Sequence, residues 1–390
     1  MNEGDFSIHL AVSPPPPYSF AMNKVRVGVI GCGNISGQYF SMAPNFPVLE
    51  MAACSDMDRT KAQAAAEKYN IPRVCSVEEL LADPSIDLVL NLTIPKAHGP
   101  VAQAILEKGK HMYVEKPLGV TREEGQKIMK LAEQKKLTVG CAPDTFMGAG
   151  IQTARKLIDD GAIGKPVAFT AFMLSAGVET WHPNPPFYYE VGGGPMFDMG
   201  PYYLTALLNL LGPVKRYNAL ANIGIPERTV TSQPLAGLKI KVETPTHITT
   251  NIQFESGTTG TLITSFETHF RTDDPKQPIT IYGDKGTIRV PDPNNFDGVV
   301  SLRKVGEEEW KEIPPMFHTG YGRAVGLADQ AYAIRSGRKV RSSGQQALAV
   351  LDLMAGSLES SISGKTLTPT VKYERPAAMP AELPFGILDE

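Results

Sequence analysis

The sequence is poor in the residues that would make a disulfide-stapled or metal-dependent scaffold. Only four cysteines, Cys32, Cys54, Cys75 and Cys141, occur in the 390-residue chain. None forms a CxxC pair, which argues against a zinc knot or a redox dithiol. Cys54 and Cys141 fall in strand-like runs, so buried free thiols in a reducing compartment are expected, which reads as cytoplasmic. His182 and His318 lack a third ligand at suitable spacing, and no metal is expected. An excess of charge of one sign is missing too. At a net charge of −3 and without a basic stripe, the chain lacks the footprint of a nucleic-acid binder. No apolar run reaches the roughly 20 residues of a bilayer span, so no membrane contact is expected.

Residues 1–23 carry Glu3 and Asp5 but no early Lys or Arg, and Pro14–Pro17 interrupt their apolar run. That is a poor secretory signal. A flexible, proline-rich extension is expected there; the sharper alternative is an arm that covers the cofactor or a neighbouring subunit.

Glycine and proline are plentiful, and they punctuate a strand–helix alternation that begins at Lys24. Val25, Val27, Val29 and Ile30 make a buried parallel strand, and Gly31-Cys-Gly33-Asn34-Ile35-Ser36 turns it into a helix. In such a turn Gly31 permits the tight bend and Gly33 lets the backbone approach a pyrophosphate. Asn34 and Ile35 then stand at the helix start that would receive it, and Ser36 replaces the third glycine. A second strand, Val48–Ser55, delivers Asp56, 23 residues after Gly33. That is the spacing for an acid on the adenosine ribose, and it favours NAD over NADP. Arg59 and Lys61 follow, and are read as the start of a solvated helix rather than a 2′-phosphate site.

Ile86–Leu92 forms a third strand running into Thr93-Ile-Pro95-Lys-Ala-His98, at the sheet edge where parallel sheets bind ligands. Thr93 and Pro95 are expected to line the cofactor, with His98 facing it or capping a helix. A fourth strand, His111–Glu115, leads into Lys116-Pro117, and Pro117 fixes the backbone so that Lys116 is held at that edge. Ser76/Glu79 and Thr121/Glu124 read as capping boxes, and Leu137–Cys141 supplies a fifth strand. Residues 24–143 are therefore expected to be a doubly wound α/β Rossmann domain.

Gly31-x-Gly33, Asp56, Thr93-x-Pro95-x-x-His98 and Glu115-Lys116-Pro117, in this order, resemble the Gfo/Idh/MocA family of nicotinamide-dependent sugar and polyol oxidoreductases. The resemblance implies a tightly held NAD or NADP. It also implies a catalytic Lys116, with Glu115 beside it at the cofactor.

After Pro143 the grammar changes to strands in succession. Val167–Met173, Ile248–Glu255, Gly260–Thr268, Ile279–Tyr282 and Thr287–Val290 suggest an α+β domain, residues 144–374, with a large open, mainly antiparallel sheet. In the family that sheet often forms a subunit interface, which implies a homo-oligomer, a dimer or tetramer. Residues 375–390 read as a tail. Asp198 and Tyr202, four apart, share a face of a helix expected over Met196–Leu211, with Pro201 requiring some distortion. The resemblance implies that this pair faces the substrate beside Lys116, with Tyr202 standing where the family usually has histidine. Lys116 and an oxidised nicotinamide would favour a phenolate there, while burial and a positive neighbour would depress Lys116. Trp181, His182 and Tyr189, in a proline-rich loop, together with Asp144 and His318, are candidate substrate contacts.

The leading reading is an NAD-dependent oxidoreductase acting on a secondary hydroxyl of a sugar, polyol or glycoside, with Lys116, Asp198 and Tyr202 as its proton-transfer set. A second is a glycosidase that uses NAD transiently to oxidise, eliminate and re-reduce. A third is a non-catalytic sugar or dinucleotide sensor, which would have no need of that set.

Overall fold

A computed structural model of the protein describes residues 24–269 and 275–389. The expected extension over residues 1–23 lies outside the described residues. The first half is built from strands β1 (Val25–Ile30), β2 (Leu49–Ser55), β3 (Leu88–Asn91), β4 (His111–Val114) and β5 (Val139–Cys141). They form a wholly parallel sheet in the order β2-β1-β3-β4-β5. Val25, Val27, Val29, Leu88, Leu90 and Val114 are buried, because helices cover both faces and leave no polar side to the sheet. These helices are α1 (Ser36–Met42), α2 (Arg59–Tyr69), α3 (Val77–Ala82), α4 (Pro95–Glu107) and α5 (Arg122–Lys135). The order reverses between β1 and β3, so the turns leaving those strands diverge and open a crevice at the carboxyl edge.

Local signals explain the helix starts. Ser76 and Glu79 make the full reciprocal capping box at α3. At α5 the expected box is half made. Thr121 accepts from Glu124 N–H, but the Glu124 carboxylate accepts from Val120 N–H at 2.7 Å instead.

The second half starts with α6 (Ala149–Asp159), β6 (Pro166–Leu174), α7 (Gly194–Asp198) and α8 (Gly200–Leu211). The helix expected over Met196–Leu211 is thus two helices, broken at Met199. The break puts Pro201 in the first turn of α8, where its missing N–H costs nothing. Strands β7 (Val214–Asn222), β8 (Glu227–Thr229), β9 (Lys239–Lys241), β10 (His247–Phe254), β11 (Thr259–Ser265), β12 (Ile279–Gly283), β13 (Gly286–Val290), β14 (Val300–Lys304) and β15 (Lys311–Ile313) follow. Except for the small β8–β9 pair, they join β6 in an open sheet ordered β15-β14-β13-β12-β6-β11-β10-β7. It is antiparallel save for β6 beside β11. Its inner face packs on α6, α7, α8 and α10 (Gly344–Ser363), and α9 (Val325–Ser336) and α10 also reach β5.

The segment read as a tail is strapped down. Arg341 donates to the carbonyls of Ala378 and Leu388, Gln152 accepts from Met379 N–H, and Phe385 stacks on Tyr321. All four cysteines are free and buried. Among the described residues no helix is long and apolar enough to cross a membrane.

The strap is anchored by Asp329, a fully buried carboxylate that accepts from Arg338 Nη2 at 2.8 Å, Arg341 Nη1 at 2.7 Å and Arg341 N–H at 2.6 Å. Removing one partner of such a buried pair leaves the others uncompensated. Asp329→Ala is expected to lower the unfolding free energy by about 3–5 kcal/mol, measured by denaturant titration. Lys339→Ala, which loses only an exposed pair with Glu374, should leave the midpoint where it is.

Candidate active site

The crevice is floored by the turns at the carboxyl ends of β1, β3 and β4. Gly31 has φ +104°, and a Cβ there would stand 2.7 Å from the Leu92 carbonyl carbon and oxygen. Only glycine fits both the left-handed backbone and that close approach. Gly33 differs: nothing lies within 4 Å of where its Cβ would be, and both Gly33 and Asn34 are exposed while Ile35 is half-buried. A backbone open on that side suits a pyrophosphate, and the Asp56 carboxylate braces the turn, accepting from Cys32 N–H at 2.7 Å. Thr93 and Pro95 stand at the neighbouring turn, Thr93 half-buried and Pro95 exposed. These residues therefore fit a dinucleotide.

His98 does not face the crevice. It is fully buried, with Nδ1 2.7 Å from Pro117 O and Nε2 2.9 Å from Thr93 O. The ring ties the β3 turn to the Lys-Pro turn and has no nitrogen left for a ligand. Glu115 also turns inward. Its Oε1 accepts from Tyr39 Oη at 2.8 Å and its Oε2 from Lys116 N–H at 2.9 Å.

Lys116, Asp198 and Tyr202 come together. Lys116 Nζ donates to Asp198 O at 2.7 Å and to Asp198 Oδ1 at 3.1 Å, and lies 5.2 Å from the centre of the Tyr202 ring. All three line one cavity with Phe172, Trp181 and Tyr188. Burial alone would depress Lys116, as expected from the sequence. The Asp198 carboxylate, Tyr202 and Glu115 more than offset it, and the ammonium is held above its ordinary value. With the protein groups alone Lys116 is thus a fixed cation and hydrogen-bond donor. Burial and the Asp198 carboxylate push Tyr188 up to about 12, which keeps it a neutral phenol.

The remaining candidates divide. Trp181 is 63% exposed and lines the cavity. His182 packs edge-on against Trp181 and Tyr188, and its Nδ1 accepts from Asn184 N–H. Tyr189 is fully buried and donates to Glu179, itself paired with Arg228 at 2.8 Å; it anchors the loop rather than lining the cavity. His318 Nε2 lies 2.7 Å from Leu383 O, among Tyr321 and Phe385, and belongs to the strap. Asp144 is fully buried and pairs with Arg323 at 3.6 Å, so it stands behind the site. Sequence reading missed Ser175 and Asn294, which line the cavity, and Arg323. No local signal marks Arg323, which stands in the turn before α9, a helix with Asp329 and Arg335 of its own.

Residues 25–142 match the model of an oxidoreductase family with an NAD-binding Rossmann fold, and residues 151–289 match the Gfo/Idh/MocA C-terminal domain. An uncharacterised oxidoreductase of Schizosaccharomyces pombe is 28% identical over 49% of this chain, which spans only 53% of that relative. Levoglucosan dehydrogenase of Pseudarthrobacter phenanthrenivorans is 26% identical over 68% of this chain and 73% of its own. A solved levoglucosan dehydrogenase complex with NADH and L-sorbose superposes with a TM-score of 0.76 at 23% identity, covering 90% of this chain and all of that one.

Two outcomes are expected. Gly31→Ala should lower stability by roughly 1 kcal/mol or more, whereas Gly33→Ala should unfold at the native midpoint yet bind NADH more weakly. Thermal denaturation and NADH fluorescence titration check both, and equal stability losses would refute the distinction. The second concerns Asp144, whose carboxyl burial lifts from 3.8 to about 6 against the pull of Arg323 and Gly326 N–H. A folded value above the unfolded one means that the folded chain binds the extra proton in this window, so Asp144 costs stability as pH rises through it. Asp144→Asn lacks that loss. Its stability relative to the native chain should climb between pH 3.8 and about 6 and then level off; parallel curves would show that Asp144 carries no such cost.

Proposed function

Because the chain belongs to the Gfo/Idh/MocA family of NAD-binding oxidoreductases, we propose that it interconverts a secondary hydroxyl and the matching ketone of a sugar, polyol or glycoside, with Tyr202 moving the proton. The observation that carries this reading is the cluster of Lys116, Asp198 and Tyr202 at one cavity wall. Gly31, Gly33, Asn34, Ile35, Asp56, Thr93 and Pro95 are assigned to holding the dinucleotide, with NAD preferred because Asp56 would repel a 2′-phosphate. When bound, NAD supplies the hydride acceptor, or in its reduced form the donor.

The chain's own residues do the rest. Lys116, held as an ammonium, donates to the substrate oxygen and stabilises negative charge that develops there. Asp198 fixes that ammonium through both its carboxylate and its carbonyl. Tyr202 accepts the hydroxyl proton in the oxidative direction and returns it in the reductive one. Trp181 and Tyr188 offer aromatic faces to the C–H surface of a sugar ring. The carbohydrate assignment is supported by levoglucosan dehydrogenase, whose fold this chain shares. Assembly as a homo-oligomer is part of the same reading, and exposed Leu220 and Tyr282 on the open sheet support it.

Purified enzyme should release NAD or NADH on denaturation, or bind it when added. A panel of sugars, polyols and glycosides that includes levoglucosan should then produce NADH absorbance. Hydrolysis of a glycoside without net NADH would point to the oxidise–eliminate–re-reduce route instead. Lys116→Ala is expected to keep NADH affinity within a few-fold while turnover falls by about 100-fold or more. Native turnover in that variant would take Lys116 out of the reaction.

A further inference from the structure

Arg323 lies in the turn two residues before α9, behind the cavity, 8% exposed. The next residue, Ala324, is fully buried at φ +92°, a left-handed conformation that a side chain with a Cβ rarely takes. Such strain persists where the surroundings over-determine a placement. The side chain placed here is a guanidinium whose Nη2 donates to Tyr202 Oη at 2.8 Å.

Arg323 also has a plain structural task, because it neutralises two buried carboxylates. Distances decide which contact dominates. Nη1 is 3.7 Å from Glu115 Oε1 and 3.6 Å from Asp144 Oδ1, beyond hydrogen-bond reach, and both Nη1 and Asp144 Oδ1 lack a hydrogen-bond partner. A guanidinium placed only as a counter-ion would turn its fork onto a carboxylate. This one directs its well-formed hydrogen bond to the phenol.

The direction of that bond has a chemical consequence. Arginine has donors and no acceptor, so the Tyr202 oxygen must accept. Its own hydrogen therefore points away from Arg323, and the bond fixes the position of the phenol oxygen of a residue that lines the cavity. We propose that Arg323 is a positioning residue for Tyr202, holding its oxygen as an acceptor so that the O–H bond is directed at the substrate oxygen. This rests on the reading of Tyr202 as the proton-transfer group. In the oxidative direction Tyr202 first gives its own proton to solvent; the substrate O–H bond then breaks and an O–H bond forms on the tyrosinate oxygen, whose charge Arg323 counters until then. In the reductive direction the same proton returns.

The test is a double-mutant cycle on the full-length enzyme, with NAD and whichever sugar of the panel is turned over, levoglucosan first. Arg323→Met should lower kcat by roughly 100-fold or more, with KM and NADH affinity held within about threefold. In a Tyr202→Phe background the same substitution should cost almost nothing further, since Arg323 acts through the phenol. Should Arg323→Met fail to fold, the cycle is run with Asp144→Asn present, which removes one of the two carboxylates left unpaired. An equal kcat loss with and without the Tyr202 hydroxyl would overturn the inference while leaving the role of Tyr202 intact. Full activity in Tyr202→Phe alone, or no turnover of any sugar in the panel, would instead overturn the functional reading and this inference with it.

Discussion

The site depends on one ammonium. Lys116 leaves the end of β4 and reaches Asp198, the last residue of α7, where it meets both a backbone carbonyl and a carboxylate. That contact links the crevice edge of the parallel sheet to the helix break beneath the second sheet, between residues 82 apart in sequence. The pair is about one-fifth exposed on each side, so it is neither screened like a surface pair nor stripped of water like a core one. Such an environment holds a cation in a fixed place while leaving it within reach of a ligand.

Several features of the chain serve that placement. His98 bridges Thr93 O and Pro117 O, so the turn expected to meet the cofactor and the turn that carries Lys116 are held as one body. Glu115 accepts from the N–H of Lys116 itself. On the other side, Pro201 sits in the opening turn of α8, and the break at Met199 lets Asp198 and Tyr202 line the same cavity although they belong to different helices.

Much of this was legible because its causes are local. The β-branched run ending at Ile30, the glycine turn and the Ser76 capping box each act over a few residues, and the structure realises each where the sequence implies it. What was not legible depends on partners remote in sequence. Strands β7 and β14 escaped notice: an exposed Leu220 spoils the apolar–polar alternation of β7, and β14 buries its first three residues in succession. Tyr189, Asp144 and His318 carry chemistry-bearing side chains, and nothing local says that Glu179, Arg323 and Leu383 have already engaged them. Arg323 illustrates the same limit in reverse, since its partner Tyr202 lies 121 residues earlier.

The adjacent residues Glu115 and Lys116 divide the electrostatics between two shells. Lys116 turns outward to Asp198 and the Tyr202 ring, while Glu115 turns inward to Tyr39 and Arg323. Tyr202 is thus flanked by one cation from each shell, with Arg323 Cζ 5.6 Å and Lys116 Nζ 5.2 Å from its ring centre. Against these two cations stand three carboxylates, Glu115, Asp144 and Asp198, an imbalance a buried cluster tolerates poorly. Asp144 is the member whose carboxyl burial lifts to about 6, and it lines no part of the cavity. Below about pH 6 a proton taken up there relieves the excess negative charge behind the site and leaves the Lys116–Asp198 contact, on which the chemistry turns, untouched.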